Sequence, residues 1–203
     1  MSSAAPVIAL LGFGEAGSAF GRDLLRRGVT VRVYDPKVVA ERPAVATDSE
    51  ADAARGADLV LSVNSAHDAP GALASGIPGV EPHAAWADMN TASPKAKQQL
   101  AATAREHGIP FADIAIMAPV PGKGWSVPML VSGSAAEPVA NMLRELGARI
   151  DVQPGQAGAA AQRKLLRSVF FKGLAAAVYE ALEAGRAAGC EQWLHDHLVE
   201  ERQ

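Results

Sequence analysis

Short apolar runs alternate along the chain with longer stretches in which apolar residues recur every three or four positions. The first run, "VIALLG" at 7–12, is continuous and closes on glycine, as expected of a strand buried on both faces. "EAGSAFGRDLLRRG" at 15–28 has helical spacing and ends at Gly28, and "VTVRVYD" at 29–35 is β-branched and alternating, hence a second strand. A weak helix is expected over "DSEADAARG" at 48–56, opened by an Asp or Ser cap. "DLVLSV" (58–63) and "AAWADM" (84–89) follow as strands, and "SAHDAPGALASGIPG" between them reads as loop with about one helical turn. "PKAKQQLAATAREHG" at 94–108 opens on proline and closes on glycine, the asymmetry of a helix. Strands are expected at 109–116, 128–133 and 148–153, with a helix at 136–146 ahead of the last.

This succession predicts an α/β fold, a Rossmann-type doubly wound and mainly parallel sheet covered on both faces. After "QPGQAG" the character changes. From Ala159 to about Gly189 there is no proline, alanine is abundant and strand patterns are absent. An unbroken helix of that length reaches roughly 45 Å, too long to be one more cover for the sheet. A boundary is therefore placed near Pro154–Gly158, with a sheet domain over 1–155 and, over 156–203, a long interdomain helix and a truncated all-α C-terminal part.

Composition narrows the function. An apolar fraction of 49% fits a globular protein with a substantial core, and a net charge of −3 gives no reason to expect nucleic acid or an anionic membrane as partner. Cys190 stands alone, so neither a disulfide framework nor a cysteine metal site is expected, which suits a reducing cytoplasm. The opening "MSSAAPVIALLG" lacks a basic n-region, so no secretion signal is expected, and no run approaches the roughly 20 apolar residues of a membrane span.

"GFGEAG" at 12–17 fits G-x-G-x-x-G between a strand and a helix, with Asp35 at the end of the next strand. In that context the pattern is a dinucleotide fingerprint. Gly12 permits the tight turn, Gly14 lets backbone approach a pyrophosphate, and Gly17 lets helix and strand pack closely. Phe13, Glu15 and Ala16 complete the loop, whose helix end offers free N–H groups to phosphate. Asp35 would accept from ribose hydroxyls and repel a 2′-phosphate, favouring NAD over NADP, although Arg32 and Lys37 lie near enough to favour the phosphate.

These pieces together resemble the β-hydroxyacid dehydrogenase superfamily, which includes 3-hydroxyisobutyrate and 6-phosphogluconate dehydrogenases. "ALLGFGEAGSAFGRDLLRRG" looks like its cofactor loop and first helix, and "DMNTASP" at 88–94 is similar to its D-x-S-T-x-x-P segment, with Asn90 in place of serine. "GAAAQRKLLRS" and the following "EALEAG" look like the helix of its catalytic lysine, which falls on Lys164. The 113–133 segment departs from the family's Gly-Gly loop and looks more like a phosphogluconate dehydrogenase-like subgroup that shares the Lys172–Gly173 pair. The resemblance implies an NAD(P)-dependent oxidoreductase acting on a small 3-hydroxyacid, with a phosphorylated acid or a sugar acid among the candidate substrates. Asn90, Thr91 and Met117 are then substrate contacts, and Val63 and Asn64 join the cofactor loop residues. Where the family has asparagine four residues after its lysine, this chain has Ser168. The chain also ends soon after "EQWLHDHLVEERQ", whereas relatives continue into a helical domain that builds a dimer. The expectation is a truncated form, or a site completed by a second copy through the C-terminal helix.

Lys164, Ser168 and Lys172 are four residues apart and share one helical face. A lysine at its ordinary pKa cannot accept a substrate's proton at neutral pH, so it needs burial or neighbouring cations. Arg163, Arg167 and Lys172, with Val169, Phe170 and Phe171, offer such a setting. Lys164 is therefore the expected base and acid, with Ser168 and Lys172 as substrate anchors. A solvated basic face is the plain alternative. His67 lies on a cofactor-side loop, Trp125 is expected to anchor its loop, and "HDH" at 195–197 reads as surface. An imine reductase, and a dinucleotide-binding module without turnover, remain as rival functions. Lys164 argues against the first, and Ser168 with the short C-terminus motivates the second.

Overall fold

Alternate residues of the first strand, β1 (Val7–Leu11), feed opposite layers: Ile8 and Leu10 enter one buried cluster, Ala9 and Leu11 the other. That two-sided burial is why its sequence is apolar throughout. The computed structural model describes residues 5–200. The first four residues of the opening segment and residues 201–203 of the C-terminal part lie outside it. The remaining strands are β2 (Thr30–Tyr34), β3 (Val45–Ala46), β4 (Leu59–Ser62), β5 (Ala85–Asp88), β6 (Phe111–Ile116), β7 (Pro128–Ser132) and β8 (Arg149–Val152). They form one sheet in the order β3-β2-β1-β4-β5-β6-β7-β8. All neighbours run parallel except β6 and β7, which pair antiparallel.

The helices are α1 (Glu15–Arg26), α2 (Glu50–Ala54), α3 (Ala69–Gly76), α4 (Pro94–Glu106), α5 (Ala136–Glu145), α6 (Ala159–Ala187) and α7 (Glu191–Glu200). One face of the sheet is covered by α1 and α5 through Phe20, Leu24, Val139 and Leu143. The other is covered by α2, α3 and α4 through Ala53, Leu73, Leu100 and Ala104. The Rossmann-type reading is correct, and the order of strand addition reverses between β1 and β4, the switch point at which such sheets open a crevice.

The segment read as loop between the third and fourth expected strands is instead the two-turn helix α3, followed by a 3-10 turn at Ile77–Gly79. Pro70 occupies the first turn, where its missing N–H costs nothing, and Gly76 and Gly79 are close-packing positions. A Cβ on Gly76 would lie 2.7 Å from the Trp86 ring. The short edge strand β3 has no signal in the pattern, and both its residues are exposed.

The 117–127 loop is clasped to α1. Trp125 is fully buried with its ring edge-on to Phe20, centroids 5.4 Å apart, and its backbone N–H donates to Asp23 Oδ2 at 2.9 Å. The expected anchor role of Trp125 thus has a defined partner.

The described residues fall into two compact units, one running to Lys164 and the other beginning at Leu165. The division falls inside α6, whereas the sequence places the boundary ahead of it. In the second unit Gly185 lets Leu194 of α7 approach, a Cβ there standing 3.0 Å from its side chain, and Arg186 pairs with Glu183 and Glu191. Leu166, Val169, Phe170, Leu174, Tyr179 and Trp193 are exposed. No helix among the described residues is long and apolar enough to cross a membrane.

Candidate active site

The crevice at the switch point is built from the glycine loop and the end of β4. Gly12 has φ +102°, and a Cβ there would stand 2.6 Å from the Val63 carbonyl oxygen, so only glycine fits. Gly17 is equally closed, against the Gly12 carbonyl. Gly14 differs: nothing lies within 4 Å of its missing Cβ. Gly14 also caps α1 without a side chain, leaving first-turn N–H groups for an anion. The arrangement fits a dinucleotide pyrophosphate.

A cleft of about 610 Å³ continues from this loop, lined by Gly12, Gly14, Asp35, Val63, Asn64 and His67. Phe13, Glu15, Ala16 and Gly17 lie in the loop and first turn. Phe13 and Ala16 pack onto the core, so they offer backbone rather than side chain. Asp35 accepts the Phe13 N–H at 2.7 Å through Oδ2, and the Lys37 and Val38 N–H groups through Oδ1. It shapes the loop while retaining acceptor capacity for ribose hydroxyls. Arg32 is turned away, donating to the Ala53 and Asp52 carbonyls and the Asp52 carboxylate. Lys37 lines the cleft, together with the acidic Glu50 and Asp68.

The second group of residues converges at the C-terminal end of β5. Lys164 Nζ donates to Thr91 Oγ1 at 2.7 Å, joining α6 to the "DMNT" segment across 73 residues of sequence. Lys164 is half-buried, and its pKa is lowered from 10.5, first by loss of water and then by the charge of Lys97, with Asp113 acting in the opposite sense. Asn90 is buried, and its amide donates to Ser62 Oγ, Asn64 Oδ1 and Asp88 Oδ2. Asn90 therefore ties the "DMNT" segment to the end of β4 and to the loop that follows it. Met117 directly follows β6, its N–H bonded to the Pro128 carbonyl. Ser168 and Lys172 belong to the second unit, the first partly exposed and the second exposed.

Beneath Thr91 lies a cluster absent from the sequence expectations. Lys97 on α4 is 1% exposed and sits between Asp88 of β5 and Asp113 of β6, both fully buried. Its Nζ donates to the Asp88 carbonyl at 2.8 Å and to the Asp88 carboxylate. It also lies 3.1 Å from Asp113 Oδ1, an ion contact outside hydrogen-bond direction. Asp113 Oδ2 accepts the N–H groups of Gly158 and Ala161 at 2.9 and 3.1 Å, and Ser132 Oγ accepts that of Ala160. The first turn of α6 is thus capped from the sheet. The signal was available: Lys97, Leu100 and Ala104 share the buried face of α4, so a lysine stands at a core position.

A larger groove of about 840 Å³ lies at the opposite end of β6 from Met117, and Arg105 is its one ionisable lining residue.

A family model described as the NAD binding domain of 6-phosphogluconate dehydrogenase matches residues 7–154. Two curated proteins of Pseudomonas aeruginosa are similar: a 3-hydroxyisobutyrate dehydrogenase, 28% identical over 196 residues, and an NAD-dependent L-serine dehydrogenase, 28% identical over 199. Each alignment covers 91% of this chain and 65% of the relative, so the chain spans about two thirds of their length. Among solved structures, a conserved hypothetical protein from Sinorhizobium meliloti superposes with a TM-score of 0.82 at 30% identity, over 98% of this chain and 71% of that one.

Proposed function

The chain belongs to the family of the NAD binding domain of 6-phosphogluconate dehydrogenase, and from that membership we propose that it oxidises a small 3-hydroxyacid with NAD, Lys164 serving as base and, in reverse, as acid. The observation that carries this reading is the Lys164–Thr91 hydrogen bond, made by an amine whose proton is loosened by burial and a neighbouring cation. Bound nicotinamide supplies the acceptor for the hydride of the carbinol carbon. Neutral Lys164 Nζ takes the hydroxyl proton as the carbonyl forms, and Thr91 Oγ1 fixes the amine's direction. Gly14 and the first-turn N–H groups of α1 hold the pyrophosphate. Asp35 binds the ribose, and with Arg32 committed to α2, the acidic lining supports NAD over NADP. Ser168 and Lys172 are the proposed anchors for the substrate's hydroxyl and anionic groups. The second unit pairs with that of another copy, covering its exposed Phe170 and Trp193.

The test is a panel of 3-hydroxyacids, including L-serine, 3-hydroxyisobutyrate and 6-phosphogluconate, offered with NAD and NADP and followed by absorbance of the reduced cofactor. Oxidation of at least one with NAD is expected. Lys164→Met should lower kcat by about 10²-fold or more while cofactor affinity is retained. Cofactor binding without oxidation of any panel member would reject the enzyme in favour of a binding module.

A further inference from the structure

A lysine with 1% exposure, far from solvent and on the core face of its helix, is an expensive way to fill space unless its charge is used. Lys97 has two carboxylate neighbours, and each leads to one side of the Lys164–Thr91 hydrogen bond. Asp88 starts the "DMNT" segment: its Oδ2 accepts from the Asn90 amide and its Oδ1 from the Asn90 N–H, immediately before Thr91. Asp113 holds Gly158 and Ala161, the entrance to α6, one turn before Lys164. Gly158 is seated tightly, since a Cβ there would stand 2.7 Å from the Pro94 carbonyl oxygen at the start of Lys97's own helix.

We propose that Lys97, clamped between Asp88 and Asp113, is a positioning residue for Lys164, fixing the Thr91 segment through one aspartate and the first turn of α6 through the other. This rests on the assignment of Lys164 as base. The geometry requires it to act twice, once as a joint between β5, β6 and α6, and once as a fixed positive charge near the amine. The charged groups bearing on Lys164 from the elements around it are Lys97 on α4 and Asp113 on β6, of opposite sign. Arg163, next to it on α6, donates to the Ala159 carbonyl. A Lys97 charge therefore favours the neutral amine that proton abstraction needs, and an Asp113 charge opposes it.

The experiment reads Lys164 directly and needs no substrate. Competitive acetylation with acetic anhydride across pH, resolved by peptide mass spectrometry, gives the pH midpoint of Lys164, with the exposed Lys95 as internal reference. In the parent, Lys164 should become reactive at lower pH than Lys95. In Lys97→Gln the midpoint should move up. In Asp113→Asn, whose amide oxygen can still accept from Gly158 and Ala161, it should move down. In parallel, kcat for whichever member of the 3-hydroxyacid panel the parent oxidises should fall about 10²-fold in Lys97→Gln, the scale of a misplaced reacting group, with KM for NAD unchanged. A Lys164 midpoint identical to the parent's in the folded variants overturns the inference, and Lys97 is then a structural ion pair only. Should Lys97→Gln fail to fold, Lys97→Arg takes its place: it keeps the charge but not the geometry of the clamp, so a kcat equal to the parent's overturns the positioning role. A parent that oxidises no member of the 3-hydroxyacid panel rejects the assignment of Lys164 as base but leaves the labelling result to judge the link to Lys97.

Discussion

Lys164 gives up its proton more readily than an exposed lysine, because burial strips water from the ammonium form and Lys97 adds a like charge, while Asp113 pulls the other way. The sign of the consequence is definite. Oxidation needs the neutral amine, so its rate should rise with pH through a midpoint below 10.5 and then level. Reduction needs the ammonium form and should fall through that same midpoint. A pH profile of kcat in both directions checks this, and a flat profile in Lys164→Met that keeps residual turnover would tie the limb to this residue. The folded chain also binds this proton more weakly than the unfolded one. Its contribution to stability therefore rises with pH between the lowered pKa and 10.5, and is least favourable below both. At this scale the glycine loop was legible, because three backbone requirements within six residues leave a spacing that sequence records. Lys97 was not, because a lysine on a helix reads as solvated until the buried neighbours Leu100 and Ala104 are used to phase it.

The elements show why some stretches misled the pattern. α3 looks like loop because proline and glycine are the usual marks of one, yet here Pro70 opens a helix and Gly76 makes room for Trp86. Tertiary packing, not propensity, decides that segment. The start of α6 carries the opposite lesson. The sequence offers no cap there, and the structure supplies one from the sheet of the same chain, through Asp113 and Ser132. Gly158 leads into that arrangement with φ +99°, and a Cβ there would stand 2.7 Å from the Pro94 carbonyl oxygen. Gly158→Ala should cost at least about 2 kcal/mol from the left-handed backbone and that contact together. A thermal melt should register it as a Tm lower by roughly 4 °C or more. An unchanged Tm would mean that the α6 entrance is looser than this packing requires.

For the whole molecule, the alternation of strand and helix sufficed to identify a doubly wound sheet, since parallel strands buried on both faces impose apolar runs that few other folds share. The direction of β7 and the existence of β3 were not legible, because pairing partners leave no mark on a strand's own sequence. The exposed side chains of the second unit bear on assembly. Phe170 and Phe171 meet edge to face at 5.3 Å, and Arg167 lies 4.4 Å over the Phe171 ring. With Leu166, Val169 and Leu174 they make α6 apolar well beyond one stripe. The proposed dimer should appear by light scattering at micromolar concentration as twice the chain mass, and Phe170→Ser with Phe171→Ser should return it to the monomer. A monomeric parent under those conditions would refute this assembly.

The clasp between Trp125 and α1 has a mechanical meaning. The loop that follows β6 is bolted by Phe20 and Asp23 to the helix whose first turn faces the cofactor site. It is consequently a brace and not a flap: a buried ring contact and a backbone hydrogen bond hold the 117–127 loop against α1, so displacing the loop means breaking both.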